Sequence, residues 1–406
     1  MRQPTSTTPD SNLRPLILYL VTSEFSSSLF KGQLNYLDEH GFEVVVGCGS
    51  GDGSPVSMFD ESAEVVYLPF TREPSPFKDL TALRATVRLI RRVKPDIVNV
   101  STPKASVIGA VAARWCRIPV RVLVVRGFRF ESLRGPRRWM LRLLDKVATR
   151  SSTHVIFNSP SLREFAVRQG VVRTDRGLLI GSGSGNGVDL ERFSPAGSAE
   201  DRMIDRASIG ITGCAPLLGF VGRLTNDKGV DDVIAVLDAQ RSSHPDARLL
   251  LLGPFETGDP LPQSLIARIS ADASIEHREW CDDMPTAYRA MDLLVFPSSR
   301  EGLPNAPLEA QACGTPVVAY AATGSVDAVI DGIGGLLAPV GDRPSLASAV
   351  ARVLEDDALR GRLGRSGRRW VEARFDRKVV WSELERHYRS WLRGESPIEA
   401  QEASPS

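Results

Sequence analysis

The chain has 406 residues, a net charge of +1 and 42% hydrophobic residues, enough for two or three buried cores at ~100–200 residues per domain. Its five cysteines are scattered, odd in number and never spaced as Cys-x-x-Cys, so neither a disulfide framework nor a zinc site is indicated, and a reducing cytoplasm is expected. No apolar run approaches the ~20 residues of a spanning helix, and the polar start MRQPTSTTPDSNLRP lacks a signal-peptide core, so the expectation is a soluble or peripherally bound protein.

Residues 1–14 read as disordered, and the first domain is expected over 15–188. Within it, short β-rich runs at 15–23, 42–49, 63–70, 96–102, 120–127 and 153–160 alternate with amphipathic stretches, the pattern of βαβ units in a parallel sheet. Residues 1–188 carry 26 Lys/Arg against 16 Asp/Glu, so the rest of the chain is acidic and the two halves are expected to face each other. The surplus also suits an anionic partner, but no nucleic-acid motif is present. GLLIGSGSGNGVDLERFSP (177–195), rich in glycine and serine, reads as an interdomain connection.

A second domain is expected over 189–375, with strands at 215–224, 247–254, 274–280, 291–298, 315–320 and 334–341. A helix over 376–393 places Val379, Trp381, Leu384, Tyr388 and Trp391 at helical spacing and is expected to cross back to the first domain; 394–406 reads as a disordered tail. The fold class is α/β, two doubly wound Rossmann-like parallel sheets with a cleft between the carboxyl ends of their strands, where such sheets bind ligands.

Two strand-to-helix loops carry the candidate chemistry. In GFVGRLTNDKGVDDVI (219–234), Gly222 and Gly229 shape a turn bearing Arg223 and Lys228; a forked guanidinium and a mobile ammonium near a helix start suit a diphosphate, although solvated loop charges remain an open reading. In SSREGLPNAPLEAQACGTPVVAY (298–320), Pro304 marks a helix running from about Leu303 or Pro304 to Cys313, with Glu301 just before it and Glu309 within it. Glu301 as a helix-dipole partner and Glu309 as a surface residue is the plain alternative. The apolar sequence on either side weakens that alternative, because a carboxylate near a buried helix needs hydroxyl partners such as those of a ribose or hexose.

GFVGRLTNDKG, the EGLPNAPLEAQACGTPVVA block with its Glu-x7-Glu spacing, and GNGVDLERF resemble glycosyltransferase family 4, the retaining sugar-nucleotide transferases of the GT-B fold. VVRGFRFES (124–132), SPSLREFAVRQG (159–170) and GSGNGVDLERFSP (183–195) resemble the bacterial capsule and exopolysaccharide members. The resemblance implies that Arg223 and Lys228 grip the departing diphosphate without a metal, that Glu309 accepts from ribose hydroxyls, and that Glu301 lies near the transferred sugar. Backbone amides around Gly302, Leu303 and Asn305 would hold that sugar, and the region of Trp280, Cys281 and Met284 would seat the base. The implied activity is retaining, α-forming transfer from a nucleotide sugar, UDP-linked by expectation, to a saccharide acceptor carried on a polyprenyl diphosphate, in capsule, exopolysaccharide or O-antigen synthesis. No cofactor is expected. The adjacent acids Asp231-Asp232 and Asp282-Asp283 read as solvated or dipole-directed rather than as metal ligands. Readings kept alongside are a UDP-sugar 2-epimerase-like enzyme and a non-catalytic sugar-nucleotide-binding scaffold.

The chain departs from the family pattern at two places. Many members carry a histidine after the fifth strand, where this sequence has Arg126; it is expected either to contact an acceptor phosphate or the donor diphosphate, or to be a loop charge. A glycine-rich turn usually follows the first strand, where this chain has SEFSSSLFKGQ, so Ser26, Ser27, Ser28 and Gly32 are candidate acceptor-side donors. Residues 129–150 hold seven Arg/Lys and two acids, with Trp139, Leu143 and Lys146 at helical spacing beside Arg137, Arg138 and Arg142. Pattern alone favours an ordinary helix with its apolar side on the sheet and its arginines in water. The resemblance instead points to peripheral attachment at an anionic inner membrane face.

Overall fold

The computed structural model describes residues 14–49, 59, 62–71, 75–211, 213–256 and 258–395; the tails read as disordered lie almost wholly outside these. The first domain is built on strands β1 (Leu16–Val21), β2 (Glu43–Gly49), β3 (Glu64–Leu68), β4 (Ile97–Val100), β5 (Val120–Val125), β6 (His154–Phe157) and β7 (Gly177–Leu179). Its helices are α1 (Gln33–Glu39), α2 (Pro76–Val93), α3 (Pro103–Trp115), α4 (Gly135–Ser151) and α5 (Pro160–Arg168). The strand order is β3-β2-β1-β4-β5-β6-β7, all parallel, so the order reverses between β1 and β4. Strand β7 was expected to be part of the connection. Three residues beginning on a glycine carry no periodicity of their own, and only pairing with β6 makes them a strand.

The second domain opens with α6 (Ala199–Ser208) and continues as β8 (Leu217–Val221), α7 (Val230–Gln240), β9 (Arg248–Leu252), α8 (Gln263–Ala271), β10 (Ile275–Arg278), α9 (Met284–Ala290), β11 (Leu293–Phe296), α10 (Asn305–Ala312) and β12 (Val317–Tyr320). It closes with α11 (Ser325–Ala328), β13 (Gly335–Ala338), α12 (Arg343–Glu355), α13 (Asp357–Phe375) and α14 (Arg377–Leu392). The parallel order β10-β9-β8-β11-β12-β13 repeats the first domain's plan, with its reversal between β8 and β11. Both faces of each sheet are covered, which is why the strands read as continuous apolar runs.

Two chain segments join the domains. Val188 N donates to Phe375 O at 2.7 Å and Arg377 N to Val188 O at 3.0 Å, so the outgoing connection and the returning chain cross side by side. From there α14 lies on the first domain: Val380, Trp381, Leu384, Tyr388 and Trp391 are buried with Ile17, Tyr19 and Phe42, while Val379 faces out. The Tyr388 hydroxyl is 3.1 Å from that of Tyr19 and accepts from Asn99 Nδ2 at 2.6 Å. Burying these aromatic rings contributes roughly 1.5–3 kcal/mol each, so α14 is part of the first domain's core.

Candidate active site

The two motif loops leave β8 and β11, the neighbours that flank the second sheet's reversal point, and therefore meet at its ligand crevice. Gly229 lets them approach: it has φ +72°, and a Cβ there would sit 2.5 Å from the Pro297 carbonyl oxygen. Asp227 then stitches loop to loop, pairing with Arg300 at 2.9 Å, while Ser299 N donates to Asp227 O at 3.0 Å. This lattice places Lys228 against Glu301, an ion pair in which both side chains are only about one-seventh exposed. Arg223, at the end of β8 beyond Gly222, pairs with Glu256, a residue of the β9–α8 loop that carried no sequence signal. The two cations expected to grip a diphosphate thus each face a carboxylate, and a diphosphate entering here exchanges one anionic partner for another.

Glu309 lies on α10, which starts at Asn305 directly after Pro304. Its carboxylate accepts from the Tyr288 hydroxyl at 2.9 Å. Burial raises its pKa above the ordinary glutamate value, opposed by the Tyr288 hydrogen bond and the Arg192 charge. Glu301 and Glu309 sit in different surroundings, one bonded to a cation and the other to a phenol, so they are not an acid and base sharing one proton. Gly302, Leu303 and Pro304 are buried while Asn305 is exposed; the first-turn amides of α10 have no intrahelical acceptor and suit sugar hydroxyls or an anion. Trp280 is 78% exposed after β10, with its Nε1 donating to Asp282 at 2.9 Å.

The first domain closes onto this turn. Ser159 Oγ donates to Gly302 O at 2.6 Å, Gly324 N donates to Ser161 Oγ at 2.7 Å, and Ser161 Oγ also bonds Asp327. Thr323 Oγ1 donates to Glu131 at 2.7 Å. A Cβ on Gly302 would lie 2.0 Å from the Arg126 carbonyl oxygen, so the backbones themselves meet. Sequence reasoning missed Ser159 and Ser161 in this role. The Ser-Pro start of α5 is legible as a helix cap, but its partner lies 143 residues away.

Several expectations need correction. Arg126 is not a solvated loop charge. It lies 5.3 Å from the Phe30 ring centroid, its Nε is buried without a hydrogen-bond partner, and burial lowers its pKa to about 10. The cavity it lines with Gln33, Asn99 and Ser184 has room for about 20 Å³, the size for a water. Gly32 serves packing: a Cβ there would lie 2.7 Å from the Trp381 ring. Ser26, Ser27 and Ser28 sit on a 3-10 turn after β1, capped by Ser23. The α4 helix reverses the ordinary pattern, burying Ala148, Thr149 and Ser151 while Trp139 is 67% exposed and Met140, Leu143, Leu144 and Val147 also face out. Arg137 is exposed and Arg142 half-buried beside them. Arg138 instead donates to Phe130 O at 2.9 Å and Gln169 at 3.0 Å, holding the preceding loop. The acidic pairs also have other partners: Asp231 and Asp232 bind Arg343, and Asp283 caps α9.

Two Rossmann-like domains, a connection crossed by a returning helix, and a crevice at the second domain's reversal point bearing Arg223 and Lys228 are the architecture of the GT-B glycosyltransferases. Residues 30–183 match the glycosyl transferase 4-like domain, and residues 215–356 match glycosyl transferases group 1. The capsular polysaccharide biosynthesis glycosyltransferase CapM of Staphylococcus aureus is 31% identical over 378 residues, covering 93% of this chain and 97% of that protein. The UDP-Gal:alpha-D-GlcNAc-diphosphoundecaprenol alpha-1,3-galactosyltransferase of Escherichia coli is 27% identical, covering 80% and 84%. Among solved structures, sucrose-phosphate synthase from Thermosynechococcus elongatus superposes with a TM-score of 0.79 at 21% identity, covering 94% of this chain and all of that one. The chain belongs to this glycosyltransferase family, on the side of the bacterial capsular and polysaccharide enzymes.

Proposed function

We propose that the protein transfers a hexose or N-acetylhexosamine from a UDP-sugar, with retention of the α configuration and without a metal, onto a saccharide carried by a polyprenyl diphosphate. The observation that carries this reading is the convergence of Arg223, Lys228, Glu301 and Glu309 on the crevice beside β8 and β11. The diphosphate displaces Glu256 and Glu301 from the two cations, the ribose hydroxyls donate to Glu309, and Trp280 offers a face to the base. Glu301, freed from Lys228, accepts from the sugar hydroxyls.

In the transfer step the bond between the anomeric carbon and the diphosphate oxygen breaks while a bond to the acceptor oxygen forms on the same face. The acceptor proton passes to the departing phosphate oxygen. Arg223 and Lys228 stabilise the charge growing on that diphosphate, which is where fixed cations lower a barrier most. The lipid-linked acceptor is supported by the Escherichia coli relative, whose name specifies a diphosphoundecaprenol substrate. The outward Trp139, Leu143 and Leu144 beside Arg137 and Arg142 support peripheral contact of α4 with an anionic leaflet of the cell membrane from the cytoplasmic side.

A thermal-shift panel of nucleotide sugars tests the donor, since a ligand that binds only the native state raises the midpoint by an amount set by RT ln(1 + [L]/Kd). The stabilising donor should then give an α-configured product by NMR when supplied with a lipid-linked saccharide. Saturable UDP binding with neither hydrolysis nor transfer would leave a scaffold, and epimerisation at C2 of the donor would leave an epimerase.

A further inference from the structure

The ends of β11 and β12 remote from the donor crevice border a cavity of about 680 Å³, walled by α6 and α13. Six arginines line it: Arg202, Arg289, Arg360, Arg365, Arg368 and Arg369. The acids facing them are Asp292 and Asp357. Asp292 is fully engaged, accepting from Arg202 at 2.7 Å, Arg206 at 2.6 Å and Leu217 N at 2.8 Å; Asp357 pairs with Arg360. Arg289 is paired with Asp205 at 2.6 Å and Arg368 with Glu372 at 2.5 Å. Arg365 and Arg369, one turn apart on α13, are exposed and have no hydrogen-bond or ion-pair partner among the described residues.

We infer that this cavity is a binding site for a phosphorylated small molecule, distinct from the donor crevice. Six arginines against two aspartates leave the lining with a surplus of positive charge, carried by Arg365 and Arg369, and guanidinium forks match phosphate oxygens in pairs. The volume falls within the ~300–1,000 Å³ range of small-molecule sites, far more than a bare phosphate needs. Gly314, Gly361 and Gly364 are among the lining residues, and Gly364 lets α13 approach the end of α10, since a Cβ there would lie 2.2 Å from the Gly314 carbonyl oxygen. The helices α6 and α13 both begin at its rim, with Ser198, Ala199 and Asp357 among the lining residues, and add the partial positive charge of their first turns. Arg368 links the wall to the rest of the enzyme, donating to Phe193 O at 2.5 Å in the connection and to Ala312 O at 2.8 Å at the end of α10, the helix that carries Glu309. An anion held by Arg365 and Arg369 sits on the same helix that Arg368 ties to both.

The test uses the full chain carrying R223A/K228A, which removes the other cationic pair and so separates this site from the donor reading. At constant ionic strength, glucose 6-phosphate is expected to raise the melting midpoint saturably and to bind with a stoichiometry of one by calorimetry. Adding R365A/R369A, both exposed and so compatible with folding, should weaken that binding at least tenfold. Undiminished affinity in the quadruple variant overturns the proposal. A midpoint rise reproduced by sodium chloride at the same ionic strength overturns it too, because screening alone then explains the effect. Inorganic phosphate binding as tightly as glucose 6-phosphate would overturn the assignment to a small molecule rather than a bare ion.

Discussion

Ser159 Oγ donates a 2.6 Å hydrogen bond to the carbonyl of Gly302, tying the cap of a first-domain helix to the turn that carries Glu301. The hydroxyl serves α5 as well, accepting from Leu162 N at 3.3 Å. The contact between the domains and the shape of the Glu301 turn are therefore coupled through one side chain, with Ser161 holding Gly324 and Asp327 alongside it.

Ser161→Ala removes two seam contacts without uncapping α5. At about 1 kcal/mol per hydrogen bond, the closed population should fall roughly fivefold to thirtyfold relative to the open one. The expected result is a lower kcat with an unchanged melting midpoint, and a larger radius by small-angle scattering. Gly302→Ala should act more strongly, since its Cβ meets the Arg126 carbonyl oxygen and must part the domains.

Arg223→Ala and Lys228→Ala should each lower kcat about 10²–10³-fold, the usual effect of removing one preorganised donor to a developing anion. EDTA should leave the parent's activity unchanged in the same assay. A metal requirement would move the leaving-group role away from these two side chains.

The pH dependence of donor affinity should report Glu309. Its pKa is raised by burial, and only the ionised form, present above that pKa, can accept from both hydroxyls of the proposed ribose contact. The donor KM should therefore rise as pH falls, beginning above the range of an ordinary glutamate. Tyr288→Phe deletes the hydrogen bond that opposes the shift and should move the rise to higher pH. Glu309→Gln should bind donor weakly at every pH, with a flat profile over this interval.

Sedimentation with anionic vesicles at low salt checks α4. The parent should pellet with them, and R137A/R142A should pellet less; Trp139→Ser should reduce binding even at moderate salt, where the electrostatic part is screened. Arg138→Ala is a poor probe of the surface, because Arg138 holds Phe130 and Gln169 in place.

Most strands were legible because a parallel strand covered on both faces must be a short apolar run, and that signature needs no knowledge of its neighbours. Pro304 likewise marks the start of α10 from within its own turn. Strand β7 escaped because its three residues become a strand only beside β6. Pattern alone put the apolar stripe of α4 on the sheet, because an amphipathic pattern gives two faces without saying which one meets the sheet.

By itself the sequence determined the alternation of strands and helices, the loops that bear Arg223, Lys228, Glu301 and Glu309, and the family to which they point. These properties depend on residue spacing within about twenty positions. Tertiary structure alone decided that Lys228 meets Glu301 while Arg223 meets Glu256, that Tyr288 reaches Glu309, that Arg126 turns into the first domain, and that Ser159 bridges to Gly302. Each of these depends on where two distant segments lie once both sheets are packed. Direct contact between such groups sets their charge and pairing, and it arises only when the cores on either side close.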